Sequence, residues 1–130
     1  MHDIVICETD PTLRDVLCFL LEDEGCLTTT CASSSDLLLH LRQRALPATV
    51  LFDYVEQGKR SDDAVLRSLV NDPILLRAHR YILMTTNPLS EVTLALVQRL
   101  HIAILSKPFE IDDFLTLIRQ APQDDAPIVA

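Results

Sequence analysis

The chain has 130 residues, of which 48% are hydrophobic and 23% charged, and its formal net charge is −8 at pH 7. This length and composition suit one globular domain whose own core is large enough to fold without a metal or a disulfide framework. The acidic balance argues against direct binding to nucleic acid, because such binding depends on Lys and Arg side chains that neutralise phosphates.

The first predicted elements are a strand, a helix and a second strand. Residues 4–7 form a continuous apolar run, and Asp10-Pro11 then places a capping carboxylate before a proline that suits the first position of a helix. Apolar residues recur at three-and-four spacing up to Gly25, which suits a helix end. A Thr-rich segment over 26–31 predicts the second strand, and Ser33 to Ser35 is expected to cap a second helix.

The middle of the chain predicts a strand, a loop and a third helix. Residues 48–53 are the predicted third strand, and the polar stretch 56–60 is the predicted loop. Ser61 is expected to cap the third helix, with Asp62-Asp63 in its first turn, where acidic side chains are favourable. Pro73 is expected to break or kink this helix.

The last part of the chain continues the alternation of strands and helices. The predicted elements are a strand over 80–85, a helix over about 89–100, a strand over 102–106 and a helix over about 110–120. A strand followed by a helix, repeated five times, predicts an α/β fold in which right-handed crossovers place helices on both faces of a central parallel sheet. The remaining residues, 122–130, are predicted to be a flexible acidic tail.

The fourth predicted helix is apolar nearly all round. Leu89, Val92 and Leu96 fit an inward stripe, whereas Leu94 and Val97 lie off that stripe. The two residues off the stripe are either ordinary exposed apolar residues or part of a surface that binds a partner.

Neither the cysteines nor the histidines form a metal-binding pattern. The cysteines contain no C-x-x-C pair and are predicted to be reduced, and the histidines lack shared spacing and are predicted to be surface or capping residues. The chain begins without a basic signal region, and no apolar run approaches the about 18 residues needed to span a bilayer. We expect a cytoplasmic protein without a membrane partner.

Four apolar runs end on polar residues, and this recurrence is the main indication of function. The residues are Glu8, Asp53, Thr86 and Lys107. Strands of a parallel sheet are buried on both faces and ligand sites form beyond their carboxyl ends, so these four side chains are expected to converge. Two acids, a hydroxyl and an amine suit a phosphoryl group and a divalent cation, because hard cations take carboxylate oxygens while phosphoryl oxygens take ammonium and hydroxyl donors.

Each of these residues also has a plain structural interpretation. Asp53 could cap a turn at a strand end, and Glu8 could be a solvated loop acid. Thr86 could satisfy backbone groups of the turn that follows its strand, and Lys107 could be a loop lysine. The functional interpretation depends on all four residues being in register.

Taken together, these residues resemble the response regulator receiver domain family of bacterial two-component signalling. The similarity covers nearly the whole chain, and its most specific parts are the opening segment 4–14 and the segment 104–109, which ends in Lys107-Pro108-Phe109. The resemblance implies a flavodoxin-like fold with five parallel strands and a receiver domain over residues 1–121. It also implies a cis peptide bond between Lys107 and Pro108.

The resemblance further implies a role for each site residue. Asp53 is the expected phospho-acceptor, Lys107 the expected charge partner of the phosphoryl group, and Thr86 the expected switch hydroxyl. The expected magnesium ligands are Glu8, Asp53 and the backbone carbonyl of Val55, with Thr9 or Asp10 as a further candidate ligand.

The chain departs from the family pattern in the acidic loop. Two adjacent acids usually follow the first strand, but Glu8 is followed here by Thr9, so the implied magnesium site is expected to be weaker than usual for the family. Glu56-Gln57 stands where the family usually has Met-Pro, and Ile104 stands where it has an aromatic switch residue. Any signal is therefore expected to use another route than an aromatic switch.

Three functions are compatible with the sequence. The first is a stand-alone receiver that accepts a phosphoryl group on Asp53 from a sensor histidine kinase or phosphotransfer protein and signals through contacts with an effector protein. Such a module is not an enzyme, since its chemistry is self-directed. The second is a pseudo-receiver that binds its partner without phosphorylation. The third, a magnesium-dependent phosphatase, is disfavoured because Val55 stands where a second acid is needed. A homodimer through the fourth helix, fifth strand and fifth helix is a further expectation.

Overall fold

The computed structural model describes residues 2–57, 60–61 and 63–120. Strands and helices alternate through this part of the chain. In chain order they are β1 (Asp3–Cys7), α1 (Pro11–Asp23), β2 (Leu27–Thr30), α2 (Ser34–Gln43), β3 (Thr49–Asp53), β4 (Glu56–Gln57), β5 (Arg60–Ser61), α3 (Ala64–Asn71), α4 (Pro73–Ala78), β6 (Arg80–Thr85), α5 (Glu91–Arg99), β7 (Ala103–Ser106) and α6 (Ile111–Arg119).

Helix α1 begins and ends as its sequence predicts. The Asp10 carboxylate accepts hydrogen bonds from the backbone N–H groups of Thr12 and Leu13, and Pro11 occupies the first turn. Beyond the helix, Gly25 has a φ of 88°, a left-handed conformation that costs glycine little because it has no Cβ atom. The cap at Asp10 and the glycine at position 25 therefore set where α1 begins and ends.

Five parallel strands form the central sheet, in the order β2-β1-β3-β6-β7. Strand β3 is central, and its last residue, Asp53, is in register with Met84 of β6. At the neighbouring strand pair, Cys7 of β1 is in register with Phe52. The flavodoxin-like α/β fold with five parallel strands, predicted from the sequence, is confirmed.

Helices cover both faces of the sheet, so the strands are buried on both sides. On one face, α2, α3 and α4 pack with Val5, Val50 and Phe52 of the strands. On the other face, α1 and α6 pack with Ile6 and Leu51. This double burial explains why β1, β3 and β6 read as continuous apolar runs, and their parallel direction places their carboxyl ends at one edge.

The segment between β3 and α3 differs from the prediction. It was predicted to be a loop, but Glu56–Gln57 pairs antiparallel with Arg60–Ser61. Ser61 is therefore not the helix cap, because its backbone belongs to this pairing; the N-cap residue is Asp63, which makes no side-chain capping hydrogen bond. The prediction that Asp63 lies in the first helical turn is likewise wrong, and Asp62 lies outside the described residues.

Pro73 breaks the predicted third helix into two. Helix α3 ends at Asn71, and Pro73 begins the separate helix α4. The Asp72 carboxylate caps α4 by accepting a hydrogen bond from the backbone N–H of Leu75, at 3.1 Å. Proline has no N–H and suits the first turn of a helix, so it ends one helix and starts the next.

The inward stripe predicted for the fourth helix is wrong at Val92 and Val97, whereas Leu89 packs against the core and Leu94 is exposed, as predicted. Val97 is fully buried in the core, whereas Val92, which was assigned to the inward face, is 81% exposed. The stripe that faces the core contains Thr93, which is buried and whose hydroxyl accepts a hydrogen bond from the Ser90 hydroxyl at 3.1 Å. Counting only apolar residues missed this threonine and so rotated the predicted stripe around the helix.

Two further predictions concern the chain as a whole. The four cysteines, which all lie in the described part of the chain, form no disulfide, as predicted. None of the helices in the described ranges has the length and apolar character required to span a bilayer. The predicted flexible tail, 122–130, lies outside the described residues.

Candidate functional site

Polar side chains collect at the carboxyl edge of the sheet, where neighbouring strands end. Glu8 and Thr9 follow β1, Asp53 ends β3, Thr85 ends β6, and Lys107 follows β7. Since the strands are parallel and in register, their last residues reach the same edge. The structure therefore brings together residues that are widely separated along the chain.

Lys107 lies between the two carboxylates. Its Nζ atom is 2.7 Å from Oε1 of Glu8 and 3.1 Å from Oδ1 of Asp53. The backbone positions it, because the Lys107 N–H donates to the Thr85 carbonyl at 2.8 Å and so extends the pairing of β6 and β7. The Lys107–Pro108 peptide bond is cis, as the resemblance implies.

Phe109 follows this lysine in the chain and anchors the loop to the core. Its ring stacks on that of Phe114 in α6, with centroids 5.4 Å apart. Phe109 is partly buried against the core on the α1 and α6 face of the sheet. The Lys107-Pro108-Phe109 segment is therefore held at both ends, by the sheet and by α6.

Asp53 is held on its second oxygen by Thr9. The Thr9 hydroxyl donates to Oδ2 of Asp53 at 2.7 Å, and the Thr9 backbone N–H lies 3.5 Å from the same oxygen. The Asp53 side chain is only 12% exposed. Both carboxylate oxygens of the candidate phospho-acceptor thus have donors from the chain.

Glu8 is buried, and its interactions account for the shape of the acidic loop. Its Oε2 atom accepts a hydrogen bond from the Asp10 backbone N–H at 3.0 Å, while its own backbone carbonyl accepts one from the Arg14 guanidinium at 3.3 Å. A buried carboxylate needs such partners, because leaving water without them is costly. The alternative interpretation of Glu8 as a solvated loop acid is therefore excluded.

Charge and hydrogen bonding shift the pKa values of the central pair in opposite directions. Burial raises the pKa of the Asp53 carboxyl, but hydrogen bonds from Thr9 and Lys107 and the Lys107 charge together bring it below its usual value. Burial lowers the pKa of the Lys107 ammonium, but its contacts with both carboxylates bring it above its usual value. Asp53 is therefore ionised and Lys107 protonated at neutral pH.

The predicted switch hydroxyl, Thr86, lies one residue beyond the end of β6 and is exposed. Among the described residues, no hydrogen bond joins Thr86 to Asp53 or Lys107, so its role stays a prediction. Its neighbour Thr85 is buried at the strand end and donates its hydroxyl proton to the Asn87 carbonyl at 3.0 Å. Two adjacent hydroxyls therefore stand at this edge in different environments.

The implied magnesium ligands do not form a ready site. The Asp10 carboxylate caps α1. The carboxylate oxygens of Glu8 and Asp53 already accept hydrogen bonds from other groups of the protein. Across the ranges that the structure describes, no group of three or more His, Cys, Asp or Glu residues is arranged to hold a metal ion. Val55 is an exposed residue two positions beyond Asp53, and a metal-binding role of its carbonyl stays a prediction.

Thr9 and Arg14 take part in the site through contacts that the sequence did not indicate. Thr9 was considered as a missing acid or a metal ligand, but it is a hydrogen-bond donor to Asp53. Arg14 lies at the end of the opening segment 4–14, and its guanidinium donates to the Glu8 backbone carbonyl at 3.3 Å. The adjacency of β1 and β3 could have indicated the first contact, since a hydroxyl and a carboxylate at neighbouring strand ends suit each other.

Sequence similarity to a known protein covers only part of the chain. No model of a known protein family matches it. A curated relative, "Uncharacterized 14.6 kDa protein in sodA1 3'region" from Leptolyngbya boryana, is 39% identical over 51 residues. That match covers 39% of this chain and 38% of the relative, so the chain matches well under half of the relative's length.

Solved structures resemble the chain over nearly its whole length. A response regulator receiver protein from Pseudomonas putida has a TM-score of 0.75 at 14% identity, covering 92% of this chain and 97% of its own. The chemotaxis protein CheY4 from Vibrio cholerae has a TM-score of 0.72 at 15% identity, with the same coverages of 92% and 97%. A CheY-like receiver domain from Methanospirillum hungatei JF-1 has a TM-score of 0.71 at 18% identity, covering 89% and 90%. At these identities the likeness concerns the fold, which is that of CheY-like receiver domains.

Proposed function

We propose that this chain, whose fold is that of CheY-like receiver domains, is a phosphorelay receiver that accepts a phosphoryl group on Asp53. The observation that carries the proposal is the position of Asp53 at the end of the central strand, with the Lys107 ammonium 3.1 Å from its carboxylate. An ionised carboxylate can attack phosphorus without a general base. The ammonium offsets the repulsion between that carboxylate and an incoming phosphoryl group.

The proposed step is a simple displacement at phosphorus. An oxygen of Asp53 forms a bond to phosphorus while the bond from phosphorus to the donor's leaving atom breaks, and the donor keeps that electron pair. When the donor is a phosphohistidine, the departing imidazole takes a proton from solvent. Lys107 remains protonated throughout and binds phosphoryl oxygens as it now binds the carboxylate.

The proposed partners follow from this step. A sensor histidine kinase or a phosphotransfer protein supplies the phosphoryl group, and an effector protein responds to the modified state. The chain is proposed to act on itself alone and is thus not an enzyme with a separate substrate. We place it in the cytoplasm, where thiols such as those of its four cysteines stay reduced.

The test is phosphorylation of the full chain by a small phosphodonor such as acetyl phosphate, followed by intact-mass and peptide mass spectrometry. We expect one phosphoryl group on Asp53, sensitive to hydroxylamine as acyl phosphates are. Asp53→Asn should lose it, whereas Asp23→Asn, a matched change at an exposed acid of α1, should retain it. Absence of the adduct from the folded wild-type chain under every condition would reject the proposal.

One observation favours a second candidate, a pseudo-receiver that binds its partner without phosphorylation. Asp53 is mostly buried and both of its oxygens accept from Thr9 and Lys107, so its partners are already supplied within the chain. In this case the wild type and Asp53→Asn should both resist phosphorylation yet bind the same partner equally well. A partner that binds only the modified wild type would exclude this candidate.

A further inference from the structure

The pocket around Asp53 is a closed network of charges and hydrogen bonds. Lys107 bridges Glu8 and Asp53, and the two remaining carboxylate oxygens accept from the Asp10 backbone N–H and the Thr9 hydroxyl. The Glu8 side chain is 1% exposed and that of Lys107 is 13% exposed. Solvent therefore has little access to the ammonium and to the buried carboxylate, and the chain itself supplies their partners.

A divalent cation would have to displace these donors. Mg²⁺ binds six oxygens, of which a protein usually supplies one or two carboxylates while water and phosphate supply the others. Here an ion between Glu8 and Asp53 would compete with the Lys107 ammonium for the same oxygens. The carboxylate of Asp10, which lies two residues beyond Glu8 in the chain, caps α1.

We propose that the Lys107 ammonium and the Thr9 hydroxyl take the place of a divalent cation in this pocket, so that the pocket is held together without Mg²⁺. This inference rests on the proposed function, because it concerns the same pocket around Asp53. It adds that residues of the chain, and not a metal ion, compensate the negative charge of the Glu8 and Asp53 carboxylates. It disagrees with the magnesium site that the resemblance implies.

Position 9 makes the proposal testable by a single substitution. The Thr9 hydroxyl is 2.7 Å from Oδ2 of Asp53, so a carboxylate at this position would stand beside Glu8 and Asp53. Thr9→Asp replaces a donor by an acceptor and creates a cluster of three carboxylates, which repel one another until a cation binds them. Thr9→Ser keeps the donor and is the matched control.

The experiment measures the thermal unfolding midpoint of the full chain against MgCl₂ concentration, with NaCl at matched ionic strength as the salt control. The wild type and Thr9→Ser should show no saturable rise in Tm with Mg²⁺. Thr9→Asp should unfold at a lower temperature without the ion and regain stability saturably when Mg²⁺ is added. A ligand that binds only the folded state raises Tm in this way.

The wild type alone can overturn the proposal, even if Thr9→Asp fails to fold. Amide resonances around Glu8 and Asp53 should not shift saturably when Mg²⁺ is titrated into the wild-type chain. A saturable Mg²⁺-specific rise in Tm, or saturable shifts at these amides that Glu8→Gln removes, would show that the metal site exists.

Phosphorylation is measured separately, so the two proposals can fail independently. The acetyl phosphate reaction is run with Mg²⁺ and with EDTA, and a comparable Asp53 adduct in both supports both proposals. An adduct that forms only with Mg²⁺ supports the proposed function but overturns metal independence. An absent adduct in both reactions rejects the proposed function, while the Tm titration still decides whether the pocket binds Mg²⁺.

Discussion

Lys107 contacts two carboxylates that lie at the ends of different strands of the sheet. One of them, on Glu8, is almost fully buried, and the ammonium is its closest charged partner at 2.7 Å. Removing one member of a buried ion pair leaves the other charge without compensation, which costs far more than the pair itself contributes. The lysine therefore has a structural role in addition to its proposed chemistry.

Lys107→Met should lower the free energy of unfolding by about 3–5 kcal/mol, because it leaves the buried Glu8 carboxylate unpaired. Urea unfolding at neutral pH measures this change. Arg119→Met is the matched control: Arg119 pairs with Glu24 at 2.7 Å but is 59% exposed, so its loss should cost about 0–1 kcal/mol. Adding Glu8→Gln to Lys107→Met should recover part of the loss, and equal costs for the two single variants would contradict the assignment.

Removing the hydroxyl of Thr85 should lower the stability of the fold more than removing that of its neighbour Thr86. Thr85→Ala removes the partly buried hydrogen bond to the Asn87 carbonyl and should cost about 1 kcal/mol of stability. Thr86→Ala changes an exposed side chain and should stay within about 0.5 kcal/mol. If Thr86 is the switch hydroxyl, its loss should lower the yield of the Asp53 adduct with acetyl phosphate. A normal yield in Thr86→Ala with a reduced yield in Thr85→Ala would assign that role to Thr85.

Among the elements, His79 connects α2, β3 and β6 at the edge of the sheet opposite the candidate site. Its Nδ1 atom accepts a hydrogen bond from the Ala48 backbone N–H at 3.0 Å, and its ring also hydrogen-bonds the Leu41 carbonyl. Accepting at Nδ1 requires the neutral form. His79 was predicted to be a surface or capping residue, and it is the C-cap residue of α4, where its ring also satisfies backbone groups of other elements.

The pKa of His79 lies below its usual value, chiefly because burial disfavours the charged ring. The hydrogen bond with Leu41 raises this pKa, whereas the charges of Arg44 and His40 lower it further. The unfolded chain therefore binds a proton before the folded one. Stability should be constant above about pH 6.5 and fall as pH drops below it. Urea midpoints between about pH 5 and 8 measure the slope. His79→Gln should reduce this slope, whereas His2→Gln, at an exposed position, should retain it.

At the scale of the whole molecule, apolar residues remain exposed on the helices expected to form a partner surface. Val92 on α5 is 81% exposed and Ile111 on α6 is 52% exposed. Because the net charge of −8 opposes association between copies of the chain, a homodimer would have to rely on such apolar contacts. The expected surface comprises α5, β7 and α6.

The variant Val92→Ser/Ile111→Ser should weaken self-association by removing apolar area from this surface, and it should leave the unfolding midpoint unchanged at chain concentrations where the wild type is monomeric. Sedimentation equilibrium over a range of chain concentrations measures the effect. Phe19→Ser, which changes a residue that is 70% exposed on α1, is the matched control and should associate like the wild type. A wild type that stays monomeric at every concentration would contradict the expected homodimer.

The sequence predicted most of the fold, because most of its signals are local. The five main strands, the start of α1 at Pro11 and the interruption at Pro73 all follow from residues within a few positions of each other. Errors arose where a polar residue took a core position, as Thr93 did in α5, or where a short strand pairing formed, as at Arg60–Ser61. Neither is marked by hydrophobic periodicity.

What the sequence determined by itself about the candidate site is which residues end the buried strands, and hence that Glu8, Asp53 and Lys107 reach one edge. Only the tertiary structure decided which atoms meet there. Thr9 and Asp53 are 44 positions apart and Glu8 and Lys107 are 99 apart, yet each pair is joined by a hydrogen bond of 2.7 Å. These contacts depend on the strand order and register of the whole sheet, and on side-chain packing, which nearby residues in the chain do not specify.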